Sequence, residues 1–363
     1  MEMPATMTET PAYPSDPSQE QIVSIDSLKE LMVKVLVKKG MFAVEAEMVA
    51  DRLIDADLRG IDSHGCRSLP RYIESMDLGD IDPRATSLTM VETAAIAVID
   101  AGKGVGHVAA TRAMQLAIKK AKEVGTGTVA IKKGQHFGAA SVYSLLATQE
   151  GMIGYCTTST GGATVAAYGS REPAIANNAF AWGVPTRDGA PFVLDMACGM
   201  SSWGKIHSMQ AYGGSMPEGW CLDAEGNPTA DFDAIKTMLP AAGARGFGLG
   251  FVSGALAGAL VNRKMPIHKD TEGSPESYGS EHFFYAIDVA QFGDIERFYD
   301  EVDSSIADIQ ALTPAEGFDK VRIPGELEWE HAEERRANGL PLHKDSVKLM
   351  NDLAAGLKVD ASI

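Results

Sequence analysis

The sequence predicts an α/β protein that has two lobes. Beyond residue 86, segments with helical spacing of apolar residues alternate with short β-branched segments. A chain of 363 residues is long enough to divide into two lobes. The glycine-rich turn that follows one predicted strand lacks the third glycine of the dinucleotide-binding motif.

The N-terminal part of the chain predicts a tail followed by helices. Residues 1–20 contain neither the basic start nor the apolar stretch of a signal peptide, and we expect a disordered tail there. Helical spacing over 27–36, with Asp26 as a candidate N-cap, and over 45–58 predicts two helices. Residues 70–76 predict a third, shorter helix.

A glycine run lies between a strand predicted at 87–100 and a helix predicted at 108–123. Its sequence, Gly102-Lys-Gly104-Val-Gly106-His107, partly matches the G-x-G-x-x-G loop that binds dinucleotide phosphates. Histidine takes the place of the third glycine, and no clear βαβ unit surrounds the run. A tight turn before a helix is therefore the preferred interpretation, and a dinucleotide loop is the alternative.

The remaining elements continue the alternation. We predict strands at 128–132, 153–158, 180–185, 191–196 and 282–288, and helices at 139–150, 295–312 and 327–338. An apolar helix opens at Gly243, where an anion would meet free N–H groups and Arg245. The alternative is a glycine-rich helix packed closely in the core, which leaves the arginine unexplained.

Composition restricts the partners and the compartment. The formal charge of −17 argues against a nucleic-acid partner, although local arginines or lysines would still permit a small anionic substrate. The four cysteines form no C-x-x-C pair, so we expect reduced thiols and no structural metal. The most apolar run, 247–261, is short for a membrane span and holds four glycines. We expect a cytoplasmic protein that does not bind membranes.

Two histidines in glycine-rich surroundings are the first candidates for chemistry. His64 lies in Gly60-Ile-Asp-Ser-His-Gly65, and His136 lies in Gly134-Gln-His-Phe-Gly138. Glycine permits tight turns and close approach of the backbone, and a loop histidine can act as general acid or base near neutral pH. The alternative is that both are ordinary loop residues.

Six segments together resemble a known family, the type 2 malate/L-lactate dehydrogenases, which use NAD or NADP and are unrelated to the better-known lactate and malate dehydrogenases. The segments are Asp57-Leu-Arg-Gly-Ile-Asp-Ser-His-Gly65, Gln135-His-Phe-Gly-Ala-Ala140, Gly169-Ser-Arg-Glu-Pro173, Phe192-Val-Leu-Asp-Met-Ala197, Pro217-Glu-Gly-Trp220 and Pro324-Gly-Glu326. The resemblance implies a non-Rossmann mixed-sheet α/β fold in an intertwined homodimer. It implies a helical lobe from residues 21–85 and 285–363 and a central α/β cofactor-binding lobe from 86–284.

The resemblance also implies a reaction, which is hydride transfer between nicotinamide and C2 of a small 2-oxo or 2-hydroxy acid of the malate, lactate, ureidoglycolate or sulfolactate type. The alternatives are reduction of cyclic imino acids (piperideine- or pyrroline-2-carboxylate) and a catalytically silent ligand-binding relative. A histidine near neutral pKa suits a reversible proton transfer, while the nicotinamide carries the hydride chemistry.

The resemblance assigns roles to individual residues. His64 matches the proton donor or acceptor, His136 a second active-site histidine, and Asp195 a carboxylate that could orient a histidine. The expected substrate-binding residues are Arg67, Ser68, Tyr72 and Thr160, and the expected cofactor-binding residues are Thr160, Leu194, Asp195, Met196, Arg245, Pro324, Gly325 and Glu326. We expect no bound metal.

One departure from the family pattern bears on the substrate. The family usually has an arginine four residues after the first histidine, where a guanidinium can clamp a carboxylate, and this chain has Ser68 there. Arg67, Arg71 or Arg59 could take over that role, or the substrate could differ. We therefore expect an atypical substrate, and the sequence leaves open NAD versus NADP, C=O versus C=N, and which histidine is the main proton donor.

Overall fold

The computed structural model describes residues 14–269 and 279–363. The α-helices are α1 (Ile25–Lys38), α2 (Ala43–Leu58), α3 (Leu69–Asp77), α4 (Gly106–Val124), α5 (Ser141–Thr148), α6 (Trp203–Ala211), α7 (Ala244–Ala257), α8 (Ile295–Gln310), α9 (Glu326–Asn338) and α10 (Lys344–Gly356). The strands are β1 (Glu20–Val23), β2 (Leu88–Glu92), β3 (Ile96–Asp100), β4 (Thr126–Gly134), β5 (Met152–Thr160), β6 (Val165–Ala166), β7 (Pro173–Ile175), β8 (Ala179–Val184), β9 (Phe192–Ala197), β10 (Cys221–Leu222), β11 (Pro228–Thr229), β12 (Thr237–Met238), β13 (Ser280–Asp288) and β14 (Leu340–His343).

A mixed seven-stranded sheet forms the centre of the protein, in the order β2-β3-β4-β13-β5-β8-β9. Only β3 and β4 run parallel, and α4 connects them, whereas the other neighbouring pairs are antiparallel. A Rossmann sheet is mostly parallel, so this order confirms the non-Rossmann α/β fold that the sequence predicted. Because β13 lies between β4 and β5, the sheet needs a strand from far along the chain to be complete.

The glycine run at 102–106 occupies the turn between β3 and α4, within a βαβ unit that the sequence did not make clear. Backbone fills the space above it: a Cβ on Gly106 would overlap the carbonyl oxygens of Gln135 and His136. The run therefore supports close packing of α4 on the His136 loop. This arrangement favours the tight turn over the dinucleotide loop.

A helical lobe packs beside the sheet and draws on both ends of the chain. In α1, Ser24 accepts a hydrogen bond from the Ser27 amide as N-cap, and apolar residues at helical spacing face inward. The core of this lobe combines residues of α1, α2 and α3 with residues of α9, β14 and α10. Strand β1 pairs with β14 in an antiparallel two-stranded sheet, which ties the two ends together.

The expected domain limits can be compared with these elements. Residues 1–13 of the expected tail lie outside the described residues. Residues 14–19 lead through a turn, in which the Gln19 amide donates to the Asp16 carbonyl, into β1, which begins at Glu20. The expected boundary at residue 285 falls inside β13, a central strand of the sheet. The helical lobe holds one apolar core, and the large sheet with α4 and α5 holds a second. A five-stranded sheet of short strands, in the order β11-β10-β12-β6-β7, packs with α6 around a third core.

Helix α7 packs only one side against the protein. Gly250 approaches Ile175 closely, as expected of a glycine-rich packed helix, while Leu249, Phe251 and Val252 are 43%, 55% and 53% exposed. By length and composition alone, Ala244–Val261 could cross a membrane, and 39% of it is buried in the protein. One such helix is weak evidence for a span, because packed helices of soluble proteins pass the same test.

Candidate active site

The candidate site lies at the edge of the large sheet where β4, β5 and β9 end. Ser280 pairs with both Gly134 and Thr160, and Ala179 pairs with Ala197, so the ends of these strands share one edge. His136 follows β4 directly, and the loop that carries His64 reaches this edge from the helical lobe. The two histidines thus come from different lobes.

His64 ends a short 3-10 turn, Asp62–His64, after α2. The Ser63 hydroxyl lies 2.7 Å from its Nδ1. Burial, and then the positive charge of Arg71, lower the pKa of His64 to about 4. The ring is therefore neutral near pH 7 in the protein alone.

Two protein groups form hydrogen bonds with Nδ1 of His136. The Tyr72 hydroxyl lies 2.7 Å from this nitrogen, and the Gly138 amide donates to it at 3.3 Å. Burial, and then Arg71 and His64, hold the pKa of His136 well below its usual range. An amide N–H can only donate, so Nδ1 is the acceptor and the proton of the neutral ring lies on Nε2.

The rings of His64 and His136 stack with centroids 5.5 Å apart and an interplanar angle of 21°. In the described part of the chain, Nε2 of neither ring has a hydrogen-bond partner. Each ring is therefore oriented through Nδ1 and presents Nε2 to whatever enters the site. This is the arrangement that proton exchange with a bound substrate requires.

Asp57 determines the shape of the turn after His64. Its buried carboxylate accepts the Cys66 amide at 2.8 Å, and a Cβ on Gly65 would overlap its Oδ1. Burial, and then the negative charge of Asp62, raise the pKa of Asp57 to about 7. Gly65 is thus required because the backbone must pass directly over a carboxylate.

Two buried histidines belong to the same cluster and were not identified from the sequence. His107 lies edge-to-face with Tyr72 at 5.2 Å, and a Cβ on Gly138 would come within 2.6 Å of its Nε2. Neither ring nitrogen of His107 has a hydrogen-bond partner among the described residues. His282 stacks on Phe137 at 4.7 Å. The sequence signal that could have drawn attention to His107 was its place at the third glycine position of the run at 102–107.

The arginines around the site point in different directions. Arg67 reaches Ser208 at 3.5 Å, away from the histidine pair, and the Ser68 hydroxyl donates to the Ser63 carbonyl at 3.1 Å. Arg59 is buried, and its charge is balanced chiefly by Asp55. Arg71 lies with its guanidinium 5.3 Å from the centre of the Tyr72 ring. Of the three candidate replacements, Arg71 is therefore the one beside the histidines.

Asp195 does not contact a histidine directly. Its carboxylate accepts the Ser141 amide at 2.8 Å and so caps the N-terminus of α5, the helix that follows the His136 loop. Burial raises the pKa of Asp195. Leu194 and Met196 pack against the third core on the opposite face of β9, because side chains alternate along a strand.

The other expected cofactor residues lie along β9 and near its ends. Pro324 accepts the Val193 amide at 3.0 Å, next to the start of β9, while the carboxylate of Glu326 binds Lys320 and Gln310. Arg245 is exposed in the first turn of α7, which packs on Cys198 beyond the end of β9. Thr160 ends β5 at the shared edge. Over residues 14–269 and 279–363, no group of three or more histidine, cysteine, aspartate or glutamate side chains could hold a metal.

Comparisons with known proteins agree with this geometry. The profile of the family described as malate/L-lactate dehydrogenase matches residues 23–351. A malate dehydrogenase of Pyrococcus horikoshii is 33% identical over 92% of this chain and 95% of its own length. An L-sulfolactate dehydrogenase of Methanocaldococcus jannaschii is 36% identical over 93% and 98%. The crystal structure of a malate dehydrogenase from Entamoeba histolytica superposes with a TM-score of 0.90 at 32% identity, covering 95% of this chain and 100% of that one.

Two further relatives have names that specify a cofactor. A ureidoglycolate dehydrogenase (NAD(+)) of Escherichia coli is 31% identical over 84% of this chain and 87% of its own. A (2R)-3-sulfolactate dehydrogenase (NADP(+)) of Chromohalobacter salexigens is 32% identical over 84% and 90%.

Proposed function

Because the chain belongs to the malate/L-lactate dehydrogenase family and is a dehydrogenase that uses a nicotinamide cofactor, we propose that it interconverts a small 2-hydroxy acid and the corresponding 2-oxo acid with NAD or NADP. The observation that carries this proposal is the stacked pair His64 and His136, each of which presents Nε2 to the same site. Oxygen at C2 gains or loses a proton in this reaction, and the pair supplies the groups for that exchange.

The chain's own residues orient and polarise the substrate. When bound, the nicotinamide supplies the hydride chemistry. His136, which carries its proton on Nε2, donates a hydrogen bond to the oxygen at C2 and stabilises the negative charge that develops there. His64 faces the same space from the other lobe.

The carboxylate of the substrate requires a cation, and Arg71 meets that need best. Ser68 and Arg67 are turned to the Ser63 carbonyl and to Ser208, and Arg59 is surrounded by internal carboxylates. Arg71 lowers the pKa of both histidines, so its charge reaches the space between them. Arg71 lies three residues after position 68, where the family usually has its arginine. A guanidinium in this different place supports a substrate of different shape from malate or lactate.

The residues along β9 fit an extended dinucleotide. The N-terminus of α7 has no side-chain cap and carries the exposed Arg245, which suits a pyrophosphate. Pro324 lies at the other end of β9, and six strand residues span roughly 17–20 Å. Ser159, beside Thr160, has a buried hydroxyl without a partner among the described residues, as a ligand-binding wall would.

The test is a kinetic panel with purified protein. We would follow oxidation of NADH and of NADPH with 2-oxo acids of graded size and with cyclic imino acids, for the unaltered protein and for Arg71→Gln. The matched control is Arg67→Gln, which removes the same charge four residues earlier. We expect turnover of a 2-oxo acid and a KM raised roughly 10- to 100-fold in Arg71→Gln only.

Other outcomes have definite meanings. A cyclic imine as the preferred substrate would replace the C=O assignment with C=N. Nicotinamide binding without any turnover would support the silent-relative alternative. Malate or lactate as the best substrate would refute the expectation of an atypical one.

We also propose that the protein is a homodimer, with the exposed face of α7 covered by a second copy. Leu249, Phe251 and Val252 are half exposed on a helix that is otherwise packed, and apolar faces of this kind mark interfaces. Light scattering on the unaltered protein should give twice the chain mass, and Val252→Lys should shift it toward one chain. A monomer in the unaltered protein, or partition of this helix into lipid vesicles, would contradict the dimer.

A further inference from the structure

The hydrogen bonds at Nδ1 of His136 place the single N–H proton of its neutral ring on Nε2. The Gly138 amide donates to Nδ1, so this nitrogen carries a lone pair and the Tyr72 hydroxyl must also donate to it. The ring proton lies on Nε2, toward the site. Tyr72 itself is 1% exposed, so its hydroxyl proton is held inside the protein against His136.

A neutral imidazole cannot lose its Nε2 proton alone, because an imidazolate anion would remain. Burial and Arg71 keep both histidines neutral near pH 7, so no resting imidazolium is at hand to act as the acid. A proton that leaves Nε2 for a substrate oxygen must therefore be replaced at Nδ1. The group that lies 2.7 Å from Nδ1 and donates to it is the Tyr72 hydroxyl.

We propose that Tyr72 is the internal proton source of the reaction and acts through His136. This inference rests on the dehydrogenase function proposed above. In the direction of reduction, hydride adds to C2 and the C=O π pair moves onto oxygen. That oxygen takes the Nε2 proton of His136, the Nδ1 lone pair takes the Tyr72 hydroxyl proton, and a phenolate remains.

The relay is restored from the open side of the site. After product leaves, solvent protonates Nε2 while the Nδ1 proton returns to the phenolate, so the net reaction consumes one solvent proton. Oxidation runs the same steps in reverse and starts from the phenolate paired with Nδ1–H. Its rate should therefore rise with pH, because this starting state has already released one proton to solvent.

Charged and titratable neighbours of Tyr72 affect the formation of its phenolate. Arg71, the neighbouring residue on α3, lies 5.3 Å from the ring centre and favours the phenolate. His107 of α4 contacts the ring edge-to-face at 5.2 Å and is neutral, because burial lowers its pKa to about 3. Tyr143 of α5 interacts electrostatically with Tyr72 and, because burial raises its own pKa well above the usual range, stays neutral.

The kinetic test compares Tyr72→Phe with Tyr143→Phe. Tyr143 is a buried tyrosine of the same region whose hydroxyl donates to the Phe137 carbonyl and not to a histidine. We expect kcat to fall roughly 100-fold or more in Tyr72→Phe, with KM changed less than about threefold, and little change in Tyr143→Phe. The rise of the oxidation rate with pH should disappear in Tyr72→Phe alone.

A second kinetic readout separates a relay from a structural role. In mixtures of H2O and D2O, the unaltered enzyme should show the curved dependence of two protons in flight, and Tyr72→Phe a straight one. A linear dependence in the unaltered enzyme, or a Tyr72→Phe variant with unchanged kcat and pH profile, would overturn the relay while leaving the dehydrogenase function intact. Absence of turnover in the unaltered protein would overturn both.

An NMR measurement that needs no turnover examines the protonation state of His136 before the reaction. In protein labelled with 15N only at histidine, the shifts of His136, assigned by loss of its signals in His136→Gln, should show a protonated Nε2 and an unprotonated Nδ1 between pH 6 and 8. A protonated Nδ1, or an imidazolium in this range, would also overturn the proposal.

Discussion

Replacement of Asp57 with asparagine gives the sharpest test of the electrostatics beneath the His64 turn. The carboxylate is buried, accepts the Cys66 amide and faces Asp62, Cys66 and Arg335. Its pKa rises from 3.8 to about 7 in the folded protein. Because the folded pKa lies above the unfolded one, ionisation favours unfolding, and stability is lost as pH rises from about 4 to 7.

The magnitude follows from the shift. A difference of about 3 pKa units at 1.36 kcal/mol per unit corresponds to about 4 kcal/mol once the group is fully ionised. Between pH 5 and pH 8 the change is about 2–3 kcal/mol, because part of the cost is already present at pH 5. Asparagine keeps a carbonyl oxygen for the Cys66 amide and has no charge to bury.

The assay is urea unfolding of both proteins at pH 5 and pH 8, at one protein concentration. The stability of Asp57→Asn relative to the unaltered protein should increase by about 2–3 kcal/mol from pH 5 to pH 8. Asp188→Asn, a substitution at an exposed loop position, is the control and should show no such increase. A relative stability of Asp57→Asn that stays constant within about 0.5 kcal/mol would refute the reasoning.

Three further predictions concern buried groups. In urea unfolding, the free energy of unfolding of His107→Phe relative to the unaltered protein should increase by about 3 kcal/mol from pH 7 to pH 4. Burial lowers the pKa of His107 to about 3 in the folded protein, so the unaltered protein loses stability as pH falls and the phenylalanine variant does not. A relative free energy that does not change with pH would contradict this. Gly65→Ala should cost at least about 3 kcal/mol in thermal unfolding, since its Cβ would overlap the Asp57 carboxylate, whereas Gly356→Ala, with open space around it at the end of α10, should be neutral or stabilising. Glu281→Gln should cost about 3–5 kcal/mol because it leaves buried Lys269 without its carboxylate; a double variant with Lys269→Met should recover part of this loss, and no recovery would argue against the ion pair as the cause.

Local patterns in the sequence predicted most of the large elements. The apolar stripes of α1, α2 and α8 and the β-branched runs of β5 and β13 each lie within a few residues of the predicted limits, whereas the single strand predicted at 87–100 is the antiparallel pair β2 and β3. Strands β1 and β14 were missed, since each has only four residues and is stabilised by a partner more than 300 positions away. Helix α6 was also missed, because Trp203 and Gly204 at its start give no amphipathic pattern.

The site residues that lie in glycine-rich loops could be predicted from the sequence. Those that join the site only through packing of distant elements could not. His64 and His136 were identified from their loops, and the structure stacks their rings. His107 and His282 are part of the same cluster through contacts that depend on how α4 and β13 pack, which no local pattern shows. The choice among Arg59, Arg67 and Arg71 likewise required the fold, since side-chain direction decides it.

The pairing of β1 with β14 has a consequence for biosynthesis. Val23 and Leu340 are partners, so 317 residues must be translated after Val23 before the strand that completes its sheet exists. At about 5–20 residues per second, the ribosome needs roughly 15–60 s for that distance. During this interval the apolar faces of α1 and α2 lack the side chains of α9, β14 and α10 that cover them in the finished protein. The central sheet also waits for β13, but the lobe that supplies His64 closes last, so a nascent chain should depend on chaperones for longest at its N-terminal helices.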